Sequence, residues 1–423
     1  MQVSSGQGLA SPVVKLRIMT LCVLTGFLLA IFFHAFMVYA HIPYPYTSFL
    51  FFSLDRFGDF FKVYDASRLL NPYFDSAASN YFPVTYILCY PFTFLPPVIA
   101  LLTFSAIFIG FLLWLGYYFL RPILPAEQPL DCWQTIITLF LLSYPVLFCL
   151  DRGNIENLLF ILVSLFVVAF INKKYFLASI LLALAAGMKL YPLALIVLFI
   201  KKRRYPAALS TIIFLLIFTI TSYSLLQGGL IVNVRQSLSG MHQYANSYYI
   251  LDNGFNFYTS LFTYVKLYIY SSLANTGLLT LEMVKQSMNS VMPYYTLTTL
   301  LLYGLLALHI LWKETQIWKQ LLLIMGAIIL LPPASADYKL IYLFIPLLLY
   351  INADYDGPFQ KIYIILFMLL LIPKNYIIFS NGLSLVSIMN PVMLAGMILI
   401  IIYESYRYPA WHRDRMIAQM KPV

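Results

Sequence analysis

Two lysines, three aspartates and an arginine stand where an apolar chain has least reason to carry charge. Lys189 lies in "LLALAAGMKLYPLALIVLFIKKRR" (residues 181–204), between two apolar runs and on a Gly-x-Lys-x-x-Pro stretch. Lys339 follows Asp337 in "LPPASADYKL" (331–340), again between apolar runs and beside prolines. Asp59 follows Gly58 in "RFGDFFKVY" (56–64), and Asp151 and Arg152 begin "DRGN" (151–154). Ammonium groups held below a membrane surface call for an anion. A lipid phosphate suits that depth, and chloride or a carboxylate substrate would serve as well. An aspartate beside such an anion can take a proton from an attacking hydroxyl, and a phosphate leaving group needs charge neutralisation more than a general acid. Plainer roles fit the same residues: Asp59 and Asp337 as helix N-caps, Lys189 as a snorkelling side chain, Asp151 with Arg152 as a local ion pair.

The elements that must position these groups are membrane helices. The chain has 423 residues, 62% hydrophobic and 10% charged, where soluble domains carry about 25% charged residues. Apolar stretches recur from residue 16 to residue 403, each near the ~20 residues that cross a bilayer. They are continuously apolar, without the alternation of a membrane β-barrel. The net charge of +10 does not signal nucleic acid, because most Lys and Arg lie at the ends of apolar segments, where the positive-inside rule puts them. Cys22, Cys89, Cys132 and Cys149 are scattered, so no disulfide or metal framework is expected. The first apolar run follows Lys15 and Arg17 without a small-residue cleavage site and reads as an uncleaved anchor.

Charge then sets a topology. With the N-terminus in the cytoplasm, spans over 16–39, 101–120, 134–150 and 155–171 put the segment 41–80 and "DRGN" outside, and Arg121, Lys173 and Lys174 inside. Lys173 and Lys174 precede the Lys189 segment, and Lys201, Lys202, Arg203 and Arg204 follow it. One helix would put a basic cluster outside. Two short helices broken at Gly187 and Pro192 leave both clusters inside. Each half, about 12 residues or ~18 Å of rise, falls short of a ~30 Å hydrocarbon core, so Lys189 sits in a recess. The pattern recurs around Asp337 and Lys339, between Lys313 with Lys319 and Lys361. Two lysines at two recessed turns imply a cation-lined cavity facing outward. Arg407, Arg413, Arg415 and Lys421 return the C-terminus to the cytoplasm, for about twelve spans in all.

Residues 59–70, "DFFKVYDASRLL", read as an amphipathic helix in the outer interface, in a loop that also holds Asp55, Asp65 and Asp75. The region 227–290 combines a polar loop (241–254) with an aromatic segment (255–270) open to three readings: span, re-entrant helix or interfacial helix. No Walker A loop, dinucleotide fingerprint or HExxH is present, and His34, His41, His242, His309 and His412 are too dispersed for a metal site. The lysines themselves can neutralise a leaving phosphate, so no cofactor or obligatory metal is expected.

Residues 151–208, "DRGNIENLLFILVSLFVVAFINKKYFLASILLALAAGMKLYPLALIVLFIKKRRYPAA", resemble the central segment of glycosyltransferase family 87. The family pattern is an outer Arg-Gly-Gln-x-Asn element, a helix, a basic turn, and a small-residue helix ending in Lys-x-x-Pro before another basic turn. Arg152, Gly153, Asn154 and Asn157, then Lys189 and Pro192, then residues 201–204 match it, with Asn-Ile-Glu-Asn in place of Gln-x-Asn. "GDFFKVYDASRLL" with "YFPVTYILCYPF" (81–92) is similar to the family's first outer loop, and "LLPPASADYKLIYLFIPLLL" (330–349) to its late outer turn, with Asp-Tyr-Lys where His or Trp often stands.

The resemblance implies an all-α GT-C-type bundle in one integral-membrane domain over 1–423, with its catalytic loop about 40–80. It also implies transfer of a hexose, mannose first, from a polyprenyl-phosphate donor to a lipid or glycan acceptor, with inversion. On that reading Asp59 is the base, and Lys189, Lys339 and Arg152 hold the donor phosphate. Asp337, Asn154 and Tyr338 face the sugar or acceptor. Membrane lipids are partners and nucleic acid is not. The rivals are a flippase or transporter of an anionic lipid, with broken helices at its binding site, and a structural subunit of an envelope complex.

Overall fold

The computed structural model describes residues 12–42, 57–75, 81–124, 129–244, 257–353, 355, 357–379 and 383–408. Asp55, the polar loop around residue 250 and the cluster of Arg413, Arg415 and Lys421 fall outside them. The chain is all-helical: α1 (Pro12–Tyr39), α2 (Gly58–Arg68), α3 (Pro72–Asp75), α4 (Pro83–Cys89), α5 (Pro97–Leu120) and α6 (Pro129–Ile136) come first. Next are α7 (Tyr144–Arg152), α8 (Glu156–Ile171), α9 (Tyr175–Met188), α10 (Ile196–Lys201), α11 (Tyr205–Leu225) and α12 (Gly229–Tyr244). Last come α13 (Phe262–Asn275), α14 (Leu281–Trp312), α15 (Ile317–Leu330), α16 (Phe344–Asn352), α17 (Gln360–Leu371) and α18 (Leu385–Arg407). No sheet forms among the described residues; two isolated bridges pair Tyr258 with Ala336 and Ile378 with Ser384.

Five helices, α1, α5, α11, α14 and α18, are long and apolar enough to cross a bilayer, and α6 with α7 makes a sixth if counted as one bent span. This is an integral multi-pass membrane protein. Its exposed side chains agree: Leu209, Leu216 and Ile220 on α11, and Leu297, Leu301 and Leu305 on α14, face outward, where lipid rather than water suits them. By contrast α15 is buried along its length from Trp318 to Leu330, and from Leu321 onward it is apolar all round, as a central helix must be. The expected count of about twelve spans is not reached by full-length helices. The remainder of that count rests on shorter apolar helices of 10–17 residues, among them α8, α9, Tyr191–Lys201, α15 and α17.

The two shortened hairpins are there. Helix α9 stops at Lys189, which is extended (φ −145°, ψ 137°), and a 3-10 turn (Tyr191–Leu195) leads into α10. Helix α15 gives way after Leu330 to a 3-10 turn (Asp337–Leu343) leading into α16. Two details depart from expectation. Gly187 does not break α9, which runs on to Met188. Its lack of a side chain instead lets α4 close in, since a Cβ there would meet Val84 Cγ2 at 2.9 Å. The expected straight span 134–150 is bent by 61° between Asp131–Leu141 and Tyr144–Arg152. A π turn (Ile137–Leu141) and Pro145, at the second position of α7, interrupt the ladder there. The aromatic segment 255–270 contributes most of α13, which packs on α14 through Phe262, Ile269, Val284 and Met288.

Polar contacts sort the helix ends into two groups. At one end Lys15 lies over the Tyr350 ring, Asn352 donates to the Phe119 carbonyl, Asn172 to the Tyr118 hydroxyl and Lys201 to the Leu311 carbonyl. Lys319 and Glu404 pair there at 3.0 Å with no exposure. At the other end Phe57 N–H donates to the Asp151 carbonyl, Phe82 N–H and the Thr85 hydroxyl donate to the Met188 carbonyl, and Thr259 N–H donates to Ser335. The basic turns therefore gather at one end and both hairpin apices at the other.

Candidate active site

Asp59 sits in the first turn of α2 but caps nothing. The N-cap is Phe57, left-handed at φ 56°, and no side chain closes that end. The Asp59 carboxylate instead accepts from Arg152 (Nε 3.4 Å, Nη2 3.3 Å) and from Asn154 Nδ2 at 2.7 Å. Local backbone explains the meeting. Helix α7 ends at Gly153, left-handed at φ 57°, where a Cβ would approach Phe60 Cβ to 2.8 Å. The turn then places Asn154, whose Oδ1 accepts the Glu156 N–H at 2.9 Å in an Asx turn at the start of α8. One asparagine thus fixes both the α8 entry and the aspartate.

The second part is a buried carboxylate that the chemical reading of the sequence did not use. Glu156 has no exposure and accepts from three elements at once: Lys189 Nζ at 2.7 Å, the Tyr342 hydroxyl at 2.6 Å, and the Tyr191 hydroxyl. Lys189 does not snorkel; it reaches inward to this pair while its Nζ stands 5.0 Å from the Tyr81 ring centre and 5.9 Å from that of Tyr338. Lys339 comes from the other hairpin and is buried, its Nζ 4.6 Å from the Tyr191 ring centre. It lies within electrostatic reach of both Glu156 and Lys189. Its ammonium makes no hydrogen bond among the described residues. Tyr81 and Tyr338 are electrostatic neighbours of Asp59 and Glu156 alike, so their rings connect the two parts into one polar cluster.

Asp337 belongs elsewhere. It neither caps its turn nor touches Lys339: it accepts from the Tyr144 hydroxyl at 2.6 Å and from the Thr259 hydroxyl, which also receives Asn390 Nδ2 at 3.4 Å. Lys374 lies near it, 6.0 Å from the Tyr144 ring centre. This second buried cluster backs the turn that carries Tyr338 and Lys339. Tyr338 also stacks on Phe148 of α7 at 6.2 Å.

Beside Asp59, on the side formed by α2, α4 and α5, lies a cavity lined mostly by apolar groups, including Phe60, Val63, Phe92, Phe104 and Ile155. Among the described residues no three His, Cys, Asp or Glu converge on one point. Of the residues singled out in the sequence, Asp59, Arg152, Asn154, Lys189, Tyr338 and Lys339 meet in one cluster, and Asp337 stands behind it. Glu156, Tyr191, Tyr342 and Tyr81 were missed as partners. The signal for Glu156 was its position: a carboxylate opening an apolar helix needs a counter-charge, and Lys189 needs one as well.

A family model, glycosyltransferase family 87, matches residues 80–333. Arg152, Asn154, Glu156 and Lys189 lie inside that match; Asp59, Asp337, Tyr338 and Lys339 lie outside it. No curated protein matches the chain.

Proposed function

The chain belongs to glycosyltransferase family 87, and from its being a membrane-embedded sugar-transferring enzyme we propose that its donor is a polyprenyl-phosphate hexose, with mannose as the hexose. The observation that carries this reading is the Lys339 ammonium, on a buried residue and without a hydrogen-bond acceptor among the described residues, beside the Lys189–Glu156 pair. A buried ammonium in that condition is costly unless an anion completes it. A phosphodiester at membrane depth is such an anion, and Arg152, which holds Asp59, is assigned a share of it.

Catalysis follows in one displacement. The acceptor hydroxyl approaches Asp59, whose Oδ1 accepts, among the described residues, only the long Arg152 contact and keeps lone pairs available. Asp59 takes the proton, the acceptor oxygen bonds to the anomeric carbon, and the bond from that carbon to the phosphate oxygen breaks. The electron pair leaves with the phosphate, so polyprenyl phosphate departs with one more negative charge than the diester had. Lys189 and Lys339 are set to stabilise that growing charge. Back-side attack inverts the anomeric centre, and a β-linked donor gives an α-linked product. Asn154, bonded to Asp59, and Tyr338, whose ring lies 5.9 Å from the Lys189 ammonium, are assigned to the sugar and acceptor.

The basic helix ends are assigned to the cytoplasm by the positive-inside rule, which turns the site outward and puts both termini inside. Shortened hairpins counted as spans make a GT-C-type bundle of about twelve crossings in one domain. The acceptor is a lipid or glycan at the outer face. Mass spectrometry of products from a panel of polyprenyl-phosphate sugars and acceptors tests the assignment. Transfer from the mannosyl donor with release of polyprenyl phosphate is expected. Movement of intact lipid across sealed vesicles without transfer would instead make the protein a flippase.

A further inference from the structure

We propose that the turns after α8 and α10 form one binding site for the headgroup of an anionic phospholipid in the leaflet at the basic end. The two turns are built alike. Lys173 after α8 is left-handed at φ 60°, and Arg203 after α10 at φ 56°. Two backbone bonds close each helix: Lys173 N–H donates to the Phe170 carbonyl at 3.1 Å and Lys174 N–H to Ala169 at 2.9 Å. In the second turn Arg203 N–H donates to Ile200 at 2.9 Å and Arg204 N–H to Phe199 at 2.8 Å. The left-handed position of this motif is usually glycine, because a Cβ there crowds the backbone. The chain obeys that preference at Gly153 after α7 and Gly277 after α13, while His41 takes the position after α1. At the basic end it twice accepts the strain and places a cation there.

The turns are also neighbours. The Phe199 ring centre lies 5.5 Å from that of Phe170 and 6.4 Å from that of Tyr175, and the Arg204 guanidinium stands 4.7 Å from the Tyr175 ring centre. Lys173, Lys174, Lys202, Arg203 and Arg204 are thereby gathered, all exposed and none in an ion pair among the described residues. Directly beside them Phe176, Leu177, Tyr205 and Leu209 turn outward. A ligand that satisfies both surfaces carries a phosphate next to apolar chains. A phospholipid does; a soluble phosphate meets only the cations. The site lies at the end of the bundle away from the hairpin apices, so it stands independently of the donor reading.

The test follows thermal unfolding of the purified full-length protein in neutral detergent during titration with phosphatidylglycerol, phosphatidylcholine or glycerol 3-phosphate. Phosphatidylglycerol should raise the wild-type unfolding temperature to a plateau, and the other two should not. Lys173→Gly combined with Arg203→Gly relieves the backbone, so without lipid the variant should unfold at the same temperature or higher. Its affinity for phosphatidylglycerol should nevertheless fall by about 25-fold, about fivefold for each cation lost. Lys174→Gln with Lys202→Gln should lower affinity by a similar factor without touching the left-handed positions. Lys361→Gln with Arg407→Gln, on α17 and α18, removes the same charge elsewhere and should leave affinity within about twofold. Wild-type affinity in both turn variants would overturn the proposal, as would an equal loss in the α17–α18 variant, which would make the attraction diffuse. Stabilisation by glycerol 3-phosphate equal to that by the lipid would overturn it in favour of a soluble phosphate.

Discussion

Asp59 and Lys339 make different predictions about stability. Asp59→Asn keeps shape and most hydrogen bonding but loses the proposed base, so kcat should fall by about 10³-fold with donor binding and thermal stability retained. Lys339 is buried, and its ammonium has no hydrogen-bond acceptor among the described residues. Lys339→Met should therefore raise the donor KM by about tenfold or more while the empty protein becomes more stable by ~1 kcal/mol, seen as a higher unfolding temperature in detergent. Gly153 is the most constrained backbone position beside the site. Gly153→Ala places a Cβ against Phe60 at a left-handed φ and should cost about 1–3 kcal/mol, with activity lost in proportion to the misplacement of Arg152 and Asn154. Asp59, Arg152 and Lys189 were legible because charge in an apolar chain demands a reason. Their partners were not: three hydrogen bonds onto one carboxylate from α8 and two separate hairpins are a tertiary fact with no local periodicity behind it.

The helical elements carry the clearest lesson on what patterning can and cannot say. Both hairpins could be read from basic clusters flanking apolar runs too short to cross, because electrostatics and length act on whole segments. Where a helix breaks within a segment was less legible. Gly187 stays helical because α4 packs against it, and α6–α7 bends although its hydropathy is unbroken. Asp337 was expected at the sugar and instead fastens the second hairpin turn from behind through Tyr144 and Thr259. Tyr144→Phe should consequently cost ~1 kcal/mol of stability, and Asp337→Ala about 1–3 kcal/mol, since it strands two hydroxyls. Both should raise the donor KM by loosening the turn that bears Lys339, while kcat at saturating donor stays unchanged. A loss of kcat in Asp337→Asn with KM untouched would return Asp337 to the reacting groups.

For the whole molecule, the separation of basic ends from hairpin apices is the feature on which orientation rests. Single cysteines at 189 and 339, labelled with an impermeant thiol reagent in sealed cells, should both react from the outer face; opposite faces would contradict the shared cluster. The far end has its own buried pair, Lys319 with Glu404, surrounded by the rings of Trp318, Tyr355 and Tyr363. Glu404 also accepts from the hydroxyls of Tyr355 (2.7 Å) and Tyr363 (3.0 Å). Lys319→Met should destabilise by about 3–5 kcal/mol by abandoning that carboxylate, and Glu404→Gln on top of it should recover much of the loss. Activity per folded molecule should hold in both, because the site lies at the opposite end.

That pairing also orders the life of the nascent chain. The ribosome makes Lys319 with the central helix and Glu404 only with the last described one, so every growing polypeptide passes through a stage in which its innermost segment carries a cation without the carboxylate it pairs with in the folded protein. The final helix is thus the piece that lets the centre settle. A chain terminated before residue 404 would have complete hairpin turns and still present a stranded lysine to the membrane's quality-control proteases.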